Sequence, residues 1–210
     1  MMSTRMPPLE TSRLIIRPFS MDEIQRVHQI LDIDLAGADM GNEKPASLPQ
    51  RAEWLRWTIL SYEQLVFLYQ PPYGDRAIVL KSTGHLIGAC GFVPSFGPFG
   101  QLTASVPPQN EAEPFFNNPE FGLFYTVAPA HQRQGYAAEA ARAMVDYAFQ
   151  HLGLQRIVAT TTYGNAASIG VMRSIGMRIE RNRYPDPPWF QVVGLLDNPS
   201  AGRRRAAFER

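Results

Sequence analysis

The stretch from Phe121 to Thr162 constrains this chain more than any other. Phe121–Val127 is a β-rich apolar run, Ala128-Pro129-Ala130 breaks it, and Ala137, Ala140, Ala141, Met144, Val145, Ala148 and Leu152 then recur at helical spacing up to Gly153. Arg156–Thr162 is strand-like again. Strand, helix and strand within about forty residues make a βαβ unit, whose strands run parallel with a right-handed crossover. Its chemistry is expected at the carboxyl ends of those strands.

The flanking sequence adds antiparallel material. Arg13–Arg17 is a short strand stopped by Pro18, which lacks a ladder donor. Ser20 and Glu23 have capping-box spacing, Phe19 and Ile24 stand at staple positions, and Ile24, Val27 and Leu31 share a face, so a first helix starts at residue 21. Ser47 and Gln50 repeat the box before a second helix carrying Leu55, Ile59, Tyr62 and Val66, with 33–46 as the intervening loop. Arg76–Leu80 and His85–Val93 form a hairpin through Lys81-Ser82-Thr83-Gly84. Asn165 can cap a last helix that ends at Gly176, and Met177–Arg183 and Trp189–Leu196 read as terminal strands. The fold class is α+β, a mixed sheet flanked by helices.

Residues 94–119 carry Pro94, Pro98, Pro107, Pro108, Pro114 and Pro119, a density that predicts a long loop, either a lid or an insertion. With 210 residues and no second core pattern, 1–210 reads as one domain with a basic tail at 202–210. Lys plus Arg total 20 against 19 Asp plus Glu, a net charge of +1, so there is no global field for nucleic acid or an acidic membrane. Cys90 is the lone cysteine and reads as a buried apolar group, the four histidines form no cluster, and no Cys/His run has zinc spacing. No metal is expected, and a reducing interior such as cytoplasm fits. Met1–Pro8 is too short and broken for a signal-peptide core.

Gln132-Arg133-Gln134-Gly135-Tyr136-Ala137 lies where the strand ends and the strongest helix begins. A helix start presents amides without intrahelical partners and the positive end of the dipole, a ready site for phosphate. Gly135 and the small Ala137 let a diphosphate approach the backbone, and Arg133 adds charge. The alternative is that Gly135 only shapes a turn and Ala137 only packs.

These residues resemble the acyl-CoA signature of the GNAT acetyltransferases: Gln or Arg, two residues, Gly, one residue, then Gly or Ala. Leu9-Glu10-Thr11-Ser12-Arg13-Leu14-Ile15-Ile16-Arg17-Pro18 and Asn165-Ala166-Ala167-Ser168 with Gly176 resemble the Rim-type branch, which acetylates N-termini of ribosomal proteins. The resemblance implies two splayed central parallel strands, with the backbone of Tyr125, Thr126 and Val127 holding the pantetheine arm of acetyl-CoA. It implies Asn165 on that arm and Ser168 near the sulfur.

No Walker motif, nucleophile elbow or paired-His motif occurs, so direct attack by a substrate amine is the economical mechanism. An alkyl amine is protonated at neutral pH, and Glu120 is the candidate base, with a solvated strand-end carboxylate as its alternative. Tyr163 or Ser168 could protonate the departing thiolate, although a first-turn Ser commonly bonds backbone. Asn165 has helix capping as its other role. Trp54 and Trp57 could line an acceptor pocket or belong to a core. Asp32, Asp34, Asp39, Glu43, Glu111 and Glu113 could attract a cationic amine or be solvated loop charges. Arg203, Arg204 and Arg205 could touch RNA or form a frayed end. The expected partner is a primary amine, either a peptide N-terminus or a small molecule, and a homodimer is compatible. The rival function is a noncatalytic acyl-CoA-binding or sensing module.

Overall fold

The computed structural model describes residues 5–37, 44–103 and 117–201. In chain order the strands are β1 (Leu9–Glu10), β2 (Leu14–Arg17), β3 (Gly74–Leu80), β4 (Leu86–Gly97), β5 (Asn118–Val127), β6 (Arg156–Thr161), β7 (Arg178–Arg181) and β8 (Val192–Asp197). The α-helices are α1 (Ile24–His28), α2 (Leu48–Phe67), α3 (Gly100–Thr103), α4 (Tyr136–Gln150) and α5 (Ala166–Ser174). They fall into two compact units, Met1–Val93 with Leu123–Asp146, and Pro94–Gly122 with Tyr147–Arg210.

In the first unit β1, β2, β3 and β4 pair antiparallel in order, with Leu9 opposite Ile16, Leu14 opposite Leu80, and Arg76 opposite Cys90. The amide of Ala128 donates to Ile87 O at 2.8 Å, tying the end of β5 to β4. Leu14 and Ile16 alternate inward on β2, and a core built on Phe19, Val27, Ile30, Leu55, Ala77 and Ala89 joins the strands to α1 and α2. The Ser47 amide donates to Gln50 Oε1 at 2.9 Å and the Ser20 amide to Glu23 Oε2 at 2.9 Å, so both expected capping boxes supply helix-start contacts.

In the second unit β5 runs parallel to β6 with Gly122 opposite Val158, β6 pairs antiparallel with β8, and β8 with β7. The parallel pairing expected of these two strands is thus present. Phe99, Val158, Phe190, Val193 and Leu195 form the core of this unit, with Phe99 and Phe190 edge to face at 4.9 Å.

Four local expectations change. Strand β1 was not foreseen. The first helix begins as a 3-10 turn at Met21–Glu23 and continues past α1 as a π-helix, Gln29–Asp34, so it overruns the loop expected from residue 33. The segment expected as a 94–119 loop contains regular structure at both ends: β4 continues to Gly97, α3 follows, and β5 starts at Asn118. Pro94 is tolerated because the β3 register ends at Gly74 opposite Phe92, so no β3 ladder bond is asked of it. Finally, Pro188–Phe190 is a 3-10 turn rather than strand, because Pro187 and Pro188 supply no ladder donors. The remainder of that loop, 104–116, and the tail 202–210 lie outside the described residues.

Candidate active site

The chain leaves β5 through a 3-10 turn, Pro129–His131, before α4 begins at Tyr136. Between them Arg133 has φ +59° and Gly135 φ +82°, two left-handed residues on either side of Gln134. Such alternation turns successive amides toward one side and makes anion-binding concavities. The helical ladder opens with the Glu139 amide donating to Gly135 O at 3.0 Å. Amides before Glu139 therefore have no carbonyl behind them within the helix. Gly135 has a conformation that a side chain would strain.

Gln132 braces this loop. Its Nε2 donates to Val127 O at 3.0 Å, and Gln134 Nε2 donates to Ala130 O at 3.3 Å. The Val127 carbonyl thus accepts one hydrogen bond from within the loop, which leaves its second acceptor position. Thr126 lies hard against β4: a Cβ built on Gly88 would stand 2.2 Å from Thr126 O and 3.0 Å from Val127 Cα. Gly88 sets how closely β4 approaches the strand that feeds the loop.

Arg13 and Glu139 were not assigned roles from sequence. Glu139, in the first turn of α4, accepts from Thr11 Oγ1 at 2.6 Å, Ser12 Oγ at 3.0 Å, the Arg13 amide at 2.9 Å and Arg13 Nε at 2.7 Å. Burial pushes its carboxyl up, but these donors outweigh it and hold the group down at about 2. Arg13 also donates from Nη1 to Gln134 O at 3.0 Å, and its Cζ lies 4.5 Å from the centre of the Tyr136 ring. The legible signal was an acidic residue in a helix first turn together with Thr-Ser-Arg ahead of a strand.

The other candidates belong to the second unit. Glu120 Oε1 lies 3.5 Å from Arg156 Nη1, whose Nε donates to Asp197 Oδ1 at 2.8 Å. Asn165 Oδ1 accepts the Ser168 amide at 3.0 Å, so its capping role is realised at the start of α5. The Tyr163 hydroxyl donates to Asn182 O, its amide donates to Gln191 Oε1 at 2.8 Å, and its ring lies under Arg181 with 5.7 Å between Cζ and ring centre.

Several charged or aromatic candidates resolve structurally. Asp32 is buried, not solvated: its two oxygens accept from Arg51 Nε and Nη2 at 2.7 Å each, and it also meets His28 Nδ1 at 2.9 Å and the Ala46 amide at 2.8 Å. Arg51 stacks on Trp54, which packs against Phe19 in the core, whereas Trp57 is 63% exposed. Asp34 is exposed and accepts from Gln29. Asp39, Glu43, Glu111, Glu113 and the Arg203–Arg205 run lie outside the described residues. Cys90 is buried as expected, and that burial raises its thiol. Among the described residues no group of three or more His, Cys, Asp or Glu could hold a metal ion, and no helix is long and apolar enough to cross a membrane.

A strand, a left-handed loop and a helix start in this order offer main-chain donors to an anion. The family model for the acetyltransferase (GNAT) domain matches residues 13–178, and the chain belongs to the GNAT N-acetyltransferase family, whose members use acetyl-CoA as cosubstrate. It is 29% identical over 175 residues to the uncharacterized N-acetyltransferase YoaA of Bacillus subtilis, covering 83% of this chain and 84% of that one. It is 39% identical over 137 residues to FsC-acetyl coenzyme A-N(2)-transacetylase of Aspergillus fumigatus, covering 60% and 57%. In fold it is similar to the ribosomal-protein-S5-alanine acetyltransferase of Vibrio fischeri, with a TM-score of 0.64, 13% identity, and 92% and 98% of the chains covered. The chain is an acetyltransferase.

Proposed function

We propose that this enzyme moves an acetyl group from acetyl-CoA to a primary amine by direct attack in a ternary complex, acting as a single GNAT domain in a reducing compartment such as cytoplasm. The observation that carries the reading is the pair of left-handed residues, Arg133 and Gly135, directly before α4, with Gln132 anchoring the turn to Val127. The diphosphate of the cosubstrate is held by amides of Gln132–Ala137, with Tyr125–Val127 along the arm; the resemblance assigns Asn165 and Ser168 to the same ligand.

In the reaction the amine nitrogen attacks the thioester carbon, the C–S bond breaks, and CoA leaves as thiolate. The proton lost by the ammonium passes through water to Glu120. Arg156 Nη1 stands 3.5 Å from Glu120 Oε1 and orients it. The nitrogen sheds its second proton as the C–S bond breaks, and the thiolate takes up a proton through Ser168, whose hydroxyl is reprotonated by way of water from the proton the nitrogen released, with Tyr163 as the other donor.

Thermal melting with and without acetyl-CoA tests the pocket: the wild type gains stability, and Gly135→Glu, which adds bulk and negative charge, abolishes the gain. An equal gain in the variant would remove the loop from the binding site. Acceptors named for related proteins include FsC and an alanine of a ribosomal protein, so the acceptor screen pairs small amines with peptides and weighs the products. Cosubstrate binding with no transfer to any acceptor would favour a sensing module.

A further inference from the structure

We propose that Arg13 is a positioning residue for the cosubstrate loop, locked in place by Glu139, so that acetyl-CoA affinity depends on a latch between two segments far apart in sequence. This rests on the diphosphate reading above and deepens it. Arg13 touches the loop at successive points. Nη1 donates to Gln134 O at 3.0 Å, Nη2 lies 3.4 Å from where a Gly135 side chain would begin, and the guanidinium covers Tyr136 at 4.5 Å. The far side of the guanidinium is fixed on Glu139 Oε2, from Nε at 2.7 Å and Nη2 at 2.6 Å. Thr11, Ser12 and the Arg13 amide hold the other end of the same carboxylate.

The loop needs an outside constraint. Arg133 is a non-glycine residue with φ +59°, a strained conformation that persists only where its surroundings over-determine it. A loop not held in its binding conformation must be ordered by the ligand, which weakens binding without removing any contact to it. The Arg13 fork supplies that restraint geometrically: one carboxylate, one carbonyl and one ring face fix its plane.

Charge and positioning predict opposite signs for one substitution. If the latch acted only through its field on the diphosphate, Glu139→Gln would remove a nearby negative charge and tighten acetyl-CoA binding. If it acts by positioning, Glu139→Gln loosens Arg13 and weakens binding. Calorimetric titration with acetyl-CoA, below the melting temperature of each variant, is expected to give a Kd raised tenfold or more in both Glu139→Gln and Arg13→Gln. Arg13→Lys restores charge without the fork and stays at least fivefold weak. Thr11→Val, a milder change that removes one donor to Glu139, gives a twofold to fivefold loss and guards against misfolding in the others. In steady state KM for acetyl-CoA rises while kcat changes less than threefold. Unchanged or tighter binding by Glu139→Gln, or full rescue by Arg13→Lys, overturns the inference alone. Absence of acetyl-CoA binding by the wild type overturns it together with the reading beneath it.

Discussion

Asp32 and Arg51 meet side-on inside the first unit, Oδ2 to Nε and Oδ1 to Nη2 at 2.7 Å each, with His28 and the Ala46 amide completing the carboxylate. Removing one member of a buried pair leaves the other charge uncompensated, so Asp32→Asn is expected to cost about 3–5 kcal/mol in denaturant unfolding. Replacing both with apolar residues of similar volume should recover most of that. Burial pushes the Asp32 carboxyl up, but the hydrogen bonds from Arg51, His28 and Ala46 prevail and its acidity is strengthened on folding. A carboxyl depressed in the fold stabilises it above the unfolded value near ~3.9, and the contribution is lost as pH falls further. The wild-type advantage over Asp32→Asn should therefore be full at pH 6 and shrink below about pH 4.

Gly88 and Gly170 make an internal control. An added Cβ at Gly88 meets main chain at 2.2 Å, which cannot rotate away, whereas at Gly170 within α5 nothing lies inside 4 Å. Gly88→Ala is expected to destabilise by about 1–3 kcal/mol or more, with acetyl-CoA affinity falling as β5 shifts. Gly170→Ala should raise stability by roughly 0.5–1 kcal/mol. Equal melting temperatures for the two would contradict the close approach of β4 and β5.

Asn165 carries a cap and, by the proposal, a cosubstrate contact. Asn165→Ala is expected to lose about 1 kcal/mol of stability. Asn165→Ser keeps a capping oxygen, so it should retain stability while the KM for acetyl-CoA rises several-fold. If Asn165→Ser matches the wild type in both, capping is the whole role.

Glu120→Gln should reduce kcat by about 10²-fold or more, as expected for loss of a general base, with acetyl-CoA affinity within threefold. Wild-type turnover in that variant removes Glu120 from the mechanism. Tyr163→Phe deletes the hydroxyl given to Asn182 O, costing about 1 kcal/mol with turnover within threefold. A tenfold loss of kcat would instead assign the thiolate proton to Tyr163.

What could be read beforehand was local. Ser20 with Glu23, Ser47 with Gln50, and Gly153 at φ +66° behind α4 act through neighbours a few residues away, so their spacing is enough. The loop from Gln132 to Ala137 was legible for the same reason. Asp32 was misjudged because its partner Arg51 is 19 residues on, and nothing in an isolated aspartate announces burial. The Arg13–Glu139 contact spans 126 positions and becomes visible only once the sheet brings β2 beside α4. The π-helical turn at Gln29–Asp34 has no spacing signature that separates it from an ordinary helix.

Cys90, sealed between its strand neighbours, has a practical corollary. It is the one cysteine of the sequence, and it is fully covered in the native fold. A chromogenic disulfide reagent added during turnover will therefore report coenzyme liberated by the reaction without a background from the polypeptide. In guanidinium the same reagent will titrate one equivalent per chain, which makes this side chain a built-in gauge of unfolding.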